Sequence, residues 1–301
     1  MKPGIYEIPA DTYHRHTESL SSTGARMIVN DCPATFRWKM DNPENKREFD
    51  IGTATHLLVL EPERFAERVV IVRGHTKKGD YSPGYGTDDA RAQRDAAYAA
   101  GKTPLLEEEM ELVRSMRAAL HAHPIASKAF VGGQAEKSLF WHDAEFGITC
   151  RTRPDYLPPH NRYLVDLKTA ASSDPEDFAR AAADMGYHMQ ADWYLDGLQS
   201  LTGTRPEKFA FVAVSKKPPH LVTVHWVSTE ALQWGAVQNR YARGVFAWCM
   251  EHNEWPGYVQ TIGKPGEAYT LNLPAWKLKE LQNKHDLGAF EPPPVTMKDA
   301  A

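Results

Sequence analysis

Cysteine is scarce in this chain, and the three that occur, Cys32, Cys150 and Cys249, lie far apart in the sequence. A disulfide framework usually shows an even number of cysteines at short spacings. A tetrahedral zinc site or an iron–sulfur cluster usually needs four sulfur or nitrogen ligands, which these positions do not supply. We therefore expect buried, reduced thiols, and we exclude a disulfide-stabilised scaffold and an Fe–S protein.

Long apolar runs are also missing. The chain has no stretch of about 18 or more apolar residues. Its N-terminal sequence, MKPGIYEIPADTY, lacks the apolar segment of a signal peptide. We therefore expect a cytoplasmic protein without a membrane partner.

Positive charge is not in excess either, because 35 Lys and Arg residues are balanced by 39 Asp and Glu residues, for a formal net charge of −4. Many nucleic-acid-binding proteins carry a broad basic surface, which this balance does not provide. A polyanionic partner would have to be held by a local basic patch or by a cleft that contains a metal ion.

The chain does contain a regular succession of helical and extended patterns. Helices are predicted from Ser22 or Thr23 with an interruption at Pro33, across IGTATHLLVL, and over Asp88–Ala100 and Leu105–His121. The strands EKSLFWHD, ITCRTRPDYL and RYLVDLKT follow as an antiparallel meander. A helix capped by Ser173, with Glu176 completing a capping box, is separated by Gly186 from the helix YHMQADWYLDGLQSL. Two more strands, KFAFVAVSK and HLVTVHWVS, and a long helix complete the pattern.

This order predicts an α/β fold, in which an α+β core contains a mixed sheet. We expect a single domain over residues 1–291, with a core at about 105–228 and a helical N-terminal part at 13–70. Residues 74–89 are rich in Gly, Ser and Asp, so a mobile loop is expected there, and a disordered tail is expected at 292–301.

The stretch RTRPDYLPPHNRYLVDLKT, which begins at Arg151, places charged side chains where a β-hairpin normally buries apolar ones. Side chains alternate across a strand, so Asp166 and Lys168 share one face. Antiparallel pairing across the LPPHN turn brings Asp155 close to Asp166. Two such carboxylates repel each other unless a cation lies between them, and oxygen ligands on a rigid sheet suit Mg²⁺ or Mn²⁺.

Lys168 completes a unit that could hydrolyse a phosphodiester. Its ammonium would position or activate the attacking water, while a metal ion neutralises the leaving oxygen. The alternative is a surface strand with a solvated Asp/Lys pair, which is common. Pro-Asp, a hairpin-length gap and Asp-x-Lys occurring together are a sharper signal than Asp-x-Lys alone.

PDYLPPHNRYLVDLKT resembles the signature of the PD-(D/E)XK nucleases in its D-x-K form. GTATHLLVLEP resembles the helix of the RecB-like branch that carries a metal-binding histidine, which corresponds to His56. QADWY resembles the Q-x-x-x-Y motif of that branch, and LSSTGARMIVNDCPATFRW resembles its entry segment. The four motifs extend from about Tyr13 to Leu198 in the order found in the family. Together they are most similar to the catalytic domain of exodeoxyribonuclease VIII (RecE-type) and its phage-borne relatives.

The resemblance implies a restriction-endonuclease-like PD-(D/E)XK core with a helical N-terminal elaboration. It implies a Mg²⁺-dependent exodeoxyribonuclease, with Mn²⁺ able to substitute, that degrades double-stranded DNA from a free end in the 5′-to-3′ direction. A ring-like homo-oligomer, a strand-annealing recombinase as partner and a role in phage-type recombination are also implied. The helicase-associated nucleases with an Fe–S cluster need four cysteines, so we exclude that branch.

The resemblance also assigns roles to individual residues. The expected metal ligands are His56, Asp155, Asp166, the Leu167 carbonyl and Glu136. The expected catalytic residues are Asp155, Asp166, Lys168, Gln190 and Tyr194. Gln190 and Tyr194 are four residues apart on a helix, so they lie on one face, where they would touch substrate or orient the metal ligands. The alternatives are a core histidine at position 56 and a rim glutamate at position 136.

Contacts to DNA phosphates are expected from side chains close to these motifs. The candidates are Ser22, Thr23, Arg37, Lys77, Lys78, Arg151, Arg153, Tyr187 and His188. Arginine binds phosphate through paired hydrogen bonds, and Arg153 shares a strand face with Asp155. The alternatives are an ion pair with Asp155 or Glu136 for Arg153, a helix N-cap for the hydroxyl residues, a solvated loop for the lysines and core packing for the last two.

The leading hypothesis is therefore a metal-dependent exodeoxyribonuclease. A structure-specific or restriction-like endonuclease of the same fold is the second, and it would cut closed circular DNA, whereas an exonuclease needs an end. A non-catalytic DNA-binding protein is the third, and the intact Asp/Asp/Lys set argues against it.

Overall fold

The structure is a computed structural model, and it describes residues 1–42, 47–160, 162–259, 261–264, 266 and 268–291. The chain divides into two compact units, Met1–Tyr258 and Val259–Ala301. The division falls before residue 291, where the single domain was expected to end. The tail predicted at 292–301 lies outside the described residues. No helix in the described part of the chain is long and apolar enough to cross a bilayer.

The first unit contains the β-strands of the described residues. They are β1 (Gly4–Tyr6), β2 (Ser19–Ser21), β3 (Val69–Ile71), β4 (Gly74–His75), β5 (Tyr81–Ser82), β6 (Thr103–Leu105), β7 (Gln134–Ala135), β8 (Ser138–Asp143), β9 (Ile148–Thr152), β10 (Tyr156–Leu157), β11 (Tyr163–Ala170), β12 (Lys208–Ser215) and β13 (Val222–Trp226).

The α-helices of the first unit lie before, between and after these strands. They are α1 (Ala10–His14), α2 (Ser22–Asn30), α3 (Pro33–Asp41), α4 (Asp50–Leu60), α5 (Phe65–Arg68), α6 (Asp88–Ala99), α7 (Glu107–Ala122), α8 (Ala126–Ala129), α9 (Pro175–Asp184), α10 (Tyr187–Thr202) and α11 (Thr229–His252). The second unit contains α12 (Ala275–Asp286), a helix that the sequence patterns did not predict and that has no buried residue.

The larger sheet has five strands in the order β13–β12–β11–β10–β7. Its two longest strands, β11 and β12, are parallel and pair along their whole length. All residues of β12 except Lys208 are buried, as expected for a strand that is covered on both faces. The chain between β11 and β12 contains α9 and α10, because a parallel pair needs a long crossover. The other pairs are antiparallel, so the predicted mixed sheet is confirmed.

The smaller sheet has four strands in the order β1–β8–β9–β2, and β2 is parallel to β9. The predicted three-stranded meander is wrong, because β8 and β9 belong to this sheet whereas β11 belongs to the larger one. The predicted strand ITCRTRPDYL ends at Thr152 and resumes at Tyr156 as β10 in the larger sheet. Pro154 has no N–H to donate to a ladder, which accounts for the interruption.

Helices cover both faces of β11. Val165 and Leu167 pack into the core shared with α4 and α7, and Leu164 packs into the core shared with α10. Because side chains alternate along a strand, Asp166 and Lys168 belong to the α10 face. Two charged side chains therefore point into a layer that is otherwise largely apolar.

The N-terminal end of α2 differs by one residue from the prediction. The hydroxyl of Ser21, rather than that of Ser22 or Thr23, accepts a hydrogen bond from the Gly24 N–H at 3.1 Å. Ser22 and Thr23 are thus the first residues of the helix, and their side chains are not needed to cap it. The predicted interruption at Pro33 is present, since α3 begins at this residue.

The start of α9 also differs from the prediction, whereas the joint between α9 and α10 agrees with it. Asp174 is the N-cap of α9, so the predicted capping box at Ser173 is wrong. The Ser173 hydroxyl instead donates to the Leu221 carbonyl at 2.8 Å. Gly186 separates α9 from α10 with φ of 65°, a left-handed conformation that favours glycine.

The segment 74–89, predicted as a loop, contains a short antiparallel hairpin formed by β4 and β5. In the turn between them the Thr76 hydroxyl accepts hydrogen bonds from the N–H groups of Lys78 and Asp80, at 3.3 and 3.2 Å. The segment's last two residues, Asp88 and Asp89, already belong to α6, whose N-terminal cap is Thr87. Local backbone pairing therefore shapes much of this segment.

Candidate active site

A gap in the ladder between β10 and β11 is the centre of the site. Tyr156 pairs with Val165, and the strands separate at the next residues, Asp155 and Asp166. The carboxylate of Asp155 turns to the freed edge of β11, where its Oδ2 accepts a hydrogen bond from the Leu167 N–H at 2.8 Å. A side-chain oxygen thus replaces the backbone carbonyl that a continuous ladder would supply.

Asp166 lies on β11, on the other side of this gap from Asp155, and is 0% exposed. Its Oδ1 forms an ion pair with Lys168 Nζ, and its Oδ2 accepts a hydrogen bond from Gln190 Nε2 at 2.8 Å. The Lys168 ammonium also lies 4.9 Å from the centroid of the Tyr187 ring, in a cation–π contact. The solvated-strand alternative does not fit these contacts, because Asp166 is enclosed and Lys168 is held by protein groups.

Helix α10 presents Gln190 to Asp166, and Tyr194 follows one turn later on the same helix. Burial raises the pKa of Tyr194 well above its ordinary value, and the charges of Asp166 and Asp155 raise it further. The side-chain carbonyl oxygen of Gln190 is buried and accepts no hydrogen bond from the part of the chain that the structure describes. It is therefore a free acceptor beside the Asp166 carboxylate.

His56 reaches the gap from α4, and Glu136 reaches it from the segment between β7 and β8. His56 Nδ1 lies 3.7 Å from Asp155 Oδ2. Glu136 adopts a positive φ of 53°, uncommon for a residue with a side chain, and its N–H donates to the Asp155 carbonyl at 3.1 Å. The Arg153 Nε donates to Glu136 Oε2 at 2.7 Å and fixes that carboxylate.

Burial and charge shift the pKa values of these groups in ways that suit a cation site. Burial raises the pKa of Asp155, and the Asp166 carboxylate adds to the shift. Burial likewise raises the pKa of Glu136, and the Asp155 charge adds to it. Burial and the Lys168 charge lower the pKa of His56, which keeps its imidazole neutral near pH 7. Burial alone would lower the pKa of Lys168, but the two aspartates outweigh it and raise that pKa, so the ammonium stays charged.

These donors fit a divalent metal ion. His56, Glu136 and Asp155 each offer one ligand atom, and these atoms lie within 4.8 Å of one another. Carboxylate oxygens and a neutral imidazole are common ligands of divalent ions, and a bound cation would offset the repulsion that raises the pKa values of the acids. The oxygens of Asp166 contact Lys168 and Gln190, so Asp166 lies next to this group rather than within it.

Leu167 contributes its backbone to the site. Its N–H is bound by Asp155, and its backbone lies against the His56 ring, where it acts to raise the pKa of that histidine. The Leu167 side chain is buried in the core on the α4 side of the sheet. The ligand role expected of the Leu167 carbonyl stays a prediction.

Two of the predicted phosphate contacts do not fit the structure. Arg151 is buried, and its guanidinium donates to the His16 and Ser19 carbonyls, so it does not reach a DNA backbone. Arg153 forms the ion pair with Glu136 that was the alternative for this residue. Both arginines point into the protein because the small sheet and the N-terminal segment enclose them.

The candidates in the N-terminal helices lie in different surroundings. Arg37 on α3 forms two hydrogen bonds with Asp41, at 2.7 and 2.9 Å, and is therefore already paired with a carboxylate. The Ser22 hydroxyl is buried and has no hydrogen-bond partner among the described residues. Thr23 is exposed, and its hydroxyl accepts a hydrogen bond from the Arg26 guanidinium at 3.2 Å.

The remaining candidates are divided between the site and the surface. Tyr187 lies at the site, against Lys168. His188 turns to α11, where its Nε2 lies 2.5 Å from Gln238 Oε1. Lys77 and Lys78 are exposed in the turn between β4 and β5. The thiols of the three cysteines are free and buried, as expected.

Sequence reasoning did not single out Arg26 or Tyr13, which both lie close to the site. The Arg26 guanidinium donates to the Met185 carbonyl at 2.9 Å, immediately before the helix that carries Gln190. The buried Tyr13 ring lies 5.2 Å from the Arg151 guanidinium. A usable signal existed for Arg26 alone, since it follows Ser22 by four residues within LSSTGAR and shares its helix face.

The mixed sheet, the buried Asp166–Lys168 pair and the adjoining Asp155 define a PD-(D/E)XK-type domain. The chain belongs to the family described as PDDEXK-like domain of unknown function (DUF3799), which matches residues 28–263. The nuclease superfamily predicted from the motifs is thereby confirmed.

Solved structures agree with this fold. A crystal structure from Eubacterium rectale, described as a "Putative exonuclease", is similar with a TM-score of 0.60 and 14% identity, over 91% of this chain and 98% of that one. At this identity the likeness shows the fold alone. A second structure, described as SSO0001, has 9% identity over 75% of this chain and 77% of that one, and its TM-score of 0.30 supports no argument. No curated protein matches the chain.

Proposed function

We propose that the protein is a divalent-metal-dependent deoxyribonuclease that hydrolyses phosphodiester bonds of linear double-stranded DNA. The convergence of His56, Glu136 and Asp155 beside the buried Asp166–Lys168 pair is the observation that supports this most directly. The three acidic groups at this gap outnumber the two cations beside them, Lys168 and Arg153, and a metal ion would balance the excess negative charge.

The residues of the site divide the chemistry among them. His56, Glu136 and Asp155 would hold the metal ion, and Asp166 adds negative charge beside it. A bound divalent ion would polarise the phosphate and favour ionisation of water at neutral pH. Lys168 donates hydrogen bonds to the attacking water or to the phosphate oxygens, where negative charge develops. Gln190 and the Tyr187 ring fix Asp166 and Lys168, so that the ammonium is already oriented when DNA binds.

We extend the proposal to an exonuclease that acts in the 5′-to-3′ direction with Mg²⁺ as its ion and Mn²⁺ as a substitute. The order of the four motifs and the description of the Eubacterium rectale protein support the choice of an exonuclease. We also propose a ring-like homo-oligomer, a strand-annealing recombinase as partner, and phage-type recombination in the cytoplasm as the setting, on the basis of the motif resemblance.

Hydrolysis of three DNA forms tests the proposal. The protein is incubated in Mg²⁺ with each of three DNAs: a linear duplex with separate labels at its 5′ and 3′ ends, a nicked circle and a closed circle. Release of label and cutting of the circles are followed over time. We expect release from the 5′ end of the linear duplex first, with the closed circle intact. Cutting of the closed circle at the same rate would favour the endonuclease alternative.

Matched variants connect the activity to the site. Asp166→Asn removes one negative charge from the buried pair, and we expect a loss of at least about 100-fold in rate. Asp184→Asn removes the same charge from the exposed end of α9 and serves as the control. Full Mg²⁺-dependent activity in Asp166→Asn would contradict the assignment.

A further inference from the structure

Arg26 is anchored next to the site by few contacts. One of its terminal nitrogens donates to the Met185 carbonyl at 2.9 Å, and the other donates to the Thr23 hydroxyl at 3.2 Å. Its Nε is buried and has no hydrogen-bond partner in the described ranges of the chain. A guanidinium offers five N–H donors, so this one retains unused hydrogen-bonding capacity.

Arg26 also lacks a carboxylate partner in the described part of the chain, which separates it from Arg37 and Arg153. Arg151 shares this feature but is buried. Arg37 pairs with Asp41 and Arg153 pairs with Glu136, each through a carboxylate. Arg26 has no carboxylate partner among the residues that the structure describes, and it binds only a carbonyl and a hydroxyl. Arginine in such a position is available to an anion from outside the protein.

Its contacts place Arg26 on the lysine side of the site. The methylenes of Arg26 lie over Gly186, where a Cβ would be 3.1 Å from Arg26 Cδ. The next residue, Tyr187, has its ring against Lys168 Nζ at 4.9 Å. Burial raises the pKa values of Tyr187 and Tyr194, and the positive charge of Arg26 opposes this rise in a small part.

Ser22 adds a second unpartnered group on the same helix. It precedes Arg26 by four residues, so the two side chains lie on one face of α2. Ser22 is 4% exposed, and its hydroxyl has no hydrogen-bond partner in the described part of the chain. A buried donor without a partner is uncommon, and a ligand oxygen would satisfy it.

We infer that Arg26, assisted by Ser22, binds a backbone phosphate of the DNA on the Lys168 side of the site. The inference rests on the proposed function, since it names the substrate contact that holds the strand while Lys168 and the metal ligands act. Arg26 therefore positions the substrate and takes no part in the reaction itself. The phosphate would accept hydrogen bonds from the unused guanidinium N–H groups and from the Ser22 hydroxyl.

A purely structural role for Arg26 is the alternative, because its bond to the Met185 carbonyl closes the C-terminal end of α9. Arg26→Gln separates the two roles. Glutamine has an amide N–H that can still donate to a carbonyl, but it carries no charge for a phosphate. Arg180→Gln is the matched control, because Arg180 lies on α9, is exposed, and is paired with Glu176 and Asp177.

Binding of a short fluorescent duplex by the full chain is measured by anisotropy in Ca²⁺ without Mg²⁺, over a series of KCl concentrations. We expect Arg26→Gln to weaken affinity by about tenfold and to reduce the slope of log K against log salt by about 0.9, as for one lost phosphate contact. Arg180→Gln should leave both quantities unchanged, and melting temperatures of the two variants should match that of the parent chain.

Arg26→Lys provides a second variant that keeps the charge. We expect it to retain the salt slope while affinity falls by less than in Arg26→Gln, since lysine binds phosphate as a point charge. If Arg26→Gln does not fold, Arg26→Lys decides alone, and an affinity identical to that of the parent chain overturns the inference.

The outcomes separate this inference from the proposed nuclease function. A chain that hydrolyses DNA but shows the same affinity and salt slope in Arg26→Gln overturns the phosphate contact and leaves the nuclease standing. A chain that binds duplex through Arg26 without hydrolysing it supports the contact and overturns the nuclease. A chain that binds no duplex overturns both.

Discussion

Replacing Asp155 by Asn should stabilise the metal-free protein while it abolishes metal binding. Asparagine has the same shape, and its side-chain oxygen can still accept the hydrogen bond that the Leu167 N–H donates to Asp155 at 2.8 Å. What the change removes is the negative charge beside Asp166. Sites that hold like charges for a function are often less stable than the fold would otherwise be.

The size of the effect follows from the pKa of Asp155, which burial and the Asp166 charge raise from 3.8 to about 8. Each unit corresponds to about 1.4 kcal/mol, so complete relief near pH 7.5 has an upper limit of about 5 kcal/mol. An unpartnered buried amide N–H₂ of asparagine costs about 1–3 kcal/mol, and with the largest of these costs a net gain of about 2 kcal/mol remains. For a chain of this length we expect a rise in melting temperature of about 4 °C.

The sign of the pH dependence follows from the same shift. The folded state binds the Asp155 proton more tightly than the unfolded state, so this residue lowers the stability of the metal-free protein as pH rises from the ordinary Asp pKa to the raised one. The gain from Asn should therefore be larger near pH 7.5 than near pH 5.

Thermal melts in EDTA compare the parent chain, Asp155→Asn and the exposed control Asp184→Asn at both pH values. Addition of Mn²⁺ should raise the melting temperature of the parent chain and leave that of Asp155→Asn unchanged. The reasoning is refuted if Asp155→Asn melts at a lower temperature than the parent chain in EDTA at both pH values. It is also refuted if Mn²⁺ raises the melting temperatures of Asp155→Asn and the parent chain equally.

Three further outcomes are expected. Gln190→Leu removes the hydrogen bond that Asp166 Oδ2 accepts from Gln190 at 2.8 Å, so it should lower kcat by about 10- to 100-fold and the free energy of unfolding by about 1–3 kcal/mol. If both kcat and the free energy of unfolding stay unchanged, the hydrogen bond does not have this role. His56→Ala should weaken Mn²⁺ binding by at least about tenfold in calorimetry, and equal affinity would remove histidine from the ligand set. Gly235→Ala places a Cβ 2.4 Å from the His188 carbonyl oxygen and should lower the free energy of unfolding, measured in urea, by about 1–3 kcal/mol. Gly257→Ala is the control, because its Cβ would have no heavy atom within 4 Å, and it should leave that free energy unchanged.

The hairpin and the helices around it were predictable because their signals are local. The alternation in RYLVDLKT places Asp166 and Lys168 on one face, and that arrangement is found in β11. The spacing of Gln190 and Tyr194 on α10 likewise needs no knowledge of the rest of the chain. Gly186 was recognisable as a joint because few other residues adopt its positive φ.

The distribution of strands between two sheets was not predictable from the same signals. The residues before and after Pro154 both have the alternating pattern of a β-strand. This alternation predicts a strand but does not indicate which other strand it pairs with. β9 pairs with β8 and with the distant β2, whereas β10 pairs with β7 and β11. These choices depend on contacts between residues that are far apart in the sequence.

The sequence favoured phosphate contacts for Arg151 and Arg153 for a related reason, and gave the Arg153–Glu136 ion pair as an alternative. Arg151 and Arg153 lie beside the hairpin that carries Asp155 and Asp166, yet their partners, Ser19 and Glu136, lie on other segments. Arg26 lies well before the hairpin and reaches it through Met185. Residue type and spacing indicate that a guanidinium is present, but only the tertiary fold decides whether a protein carboxylate neutralises it.

The pairing of β1 with β8 and of β2 with β9 determines how this protein can be shortened. A fragment cut at residue 28, where the family match begins, would lack both outer strands of the small sheet. Its remaining two strands would present bare backbone edges of the kind that recruit other chains into aggregates. Arg151 would keep its charge in the interior after losing the Ser19 carbonyl that holds it. Expression work should therefore retain the leading segment as an integral part of the folded domain.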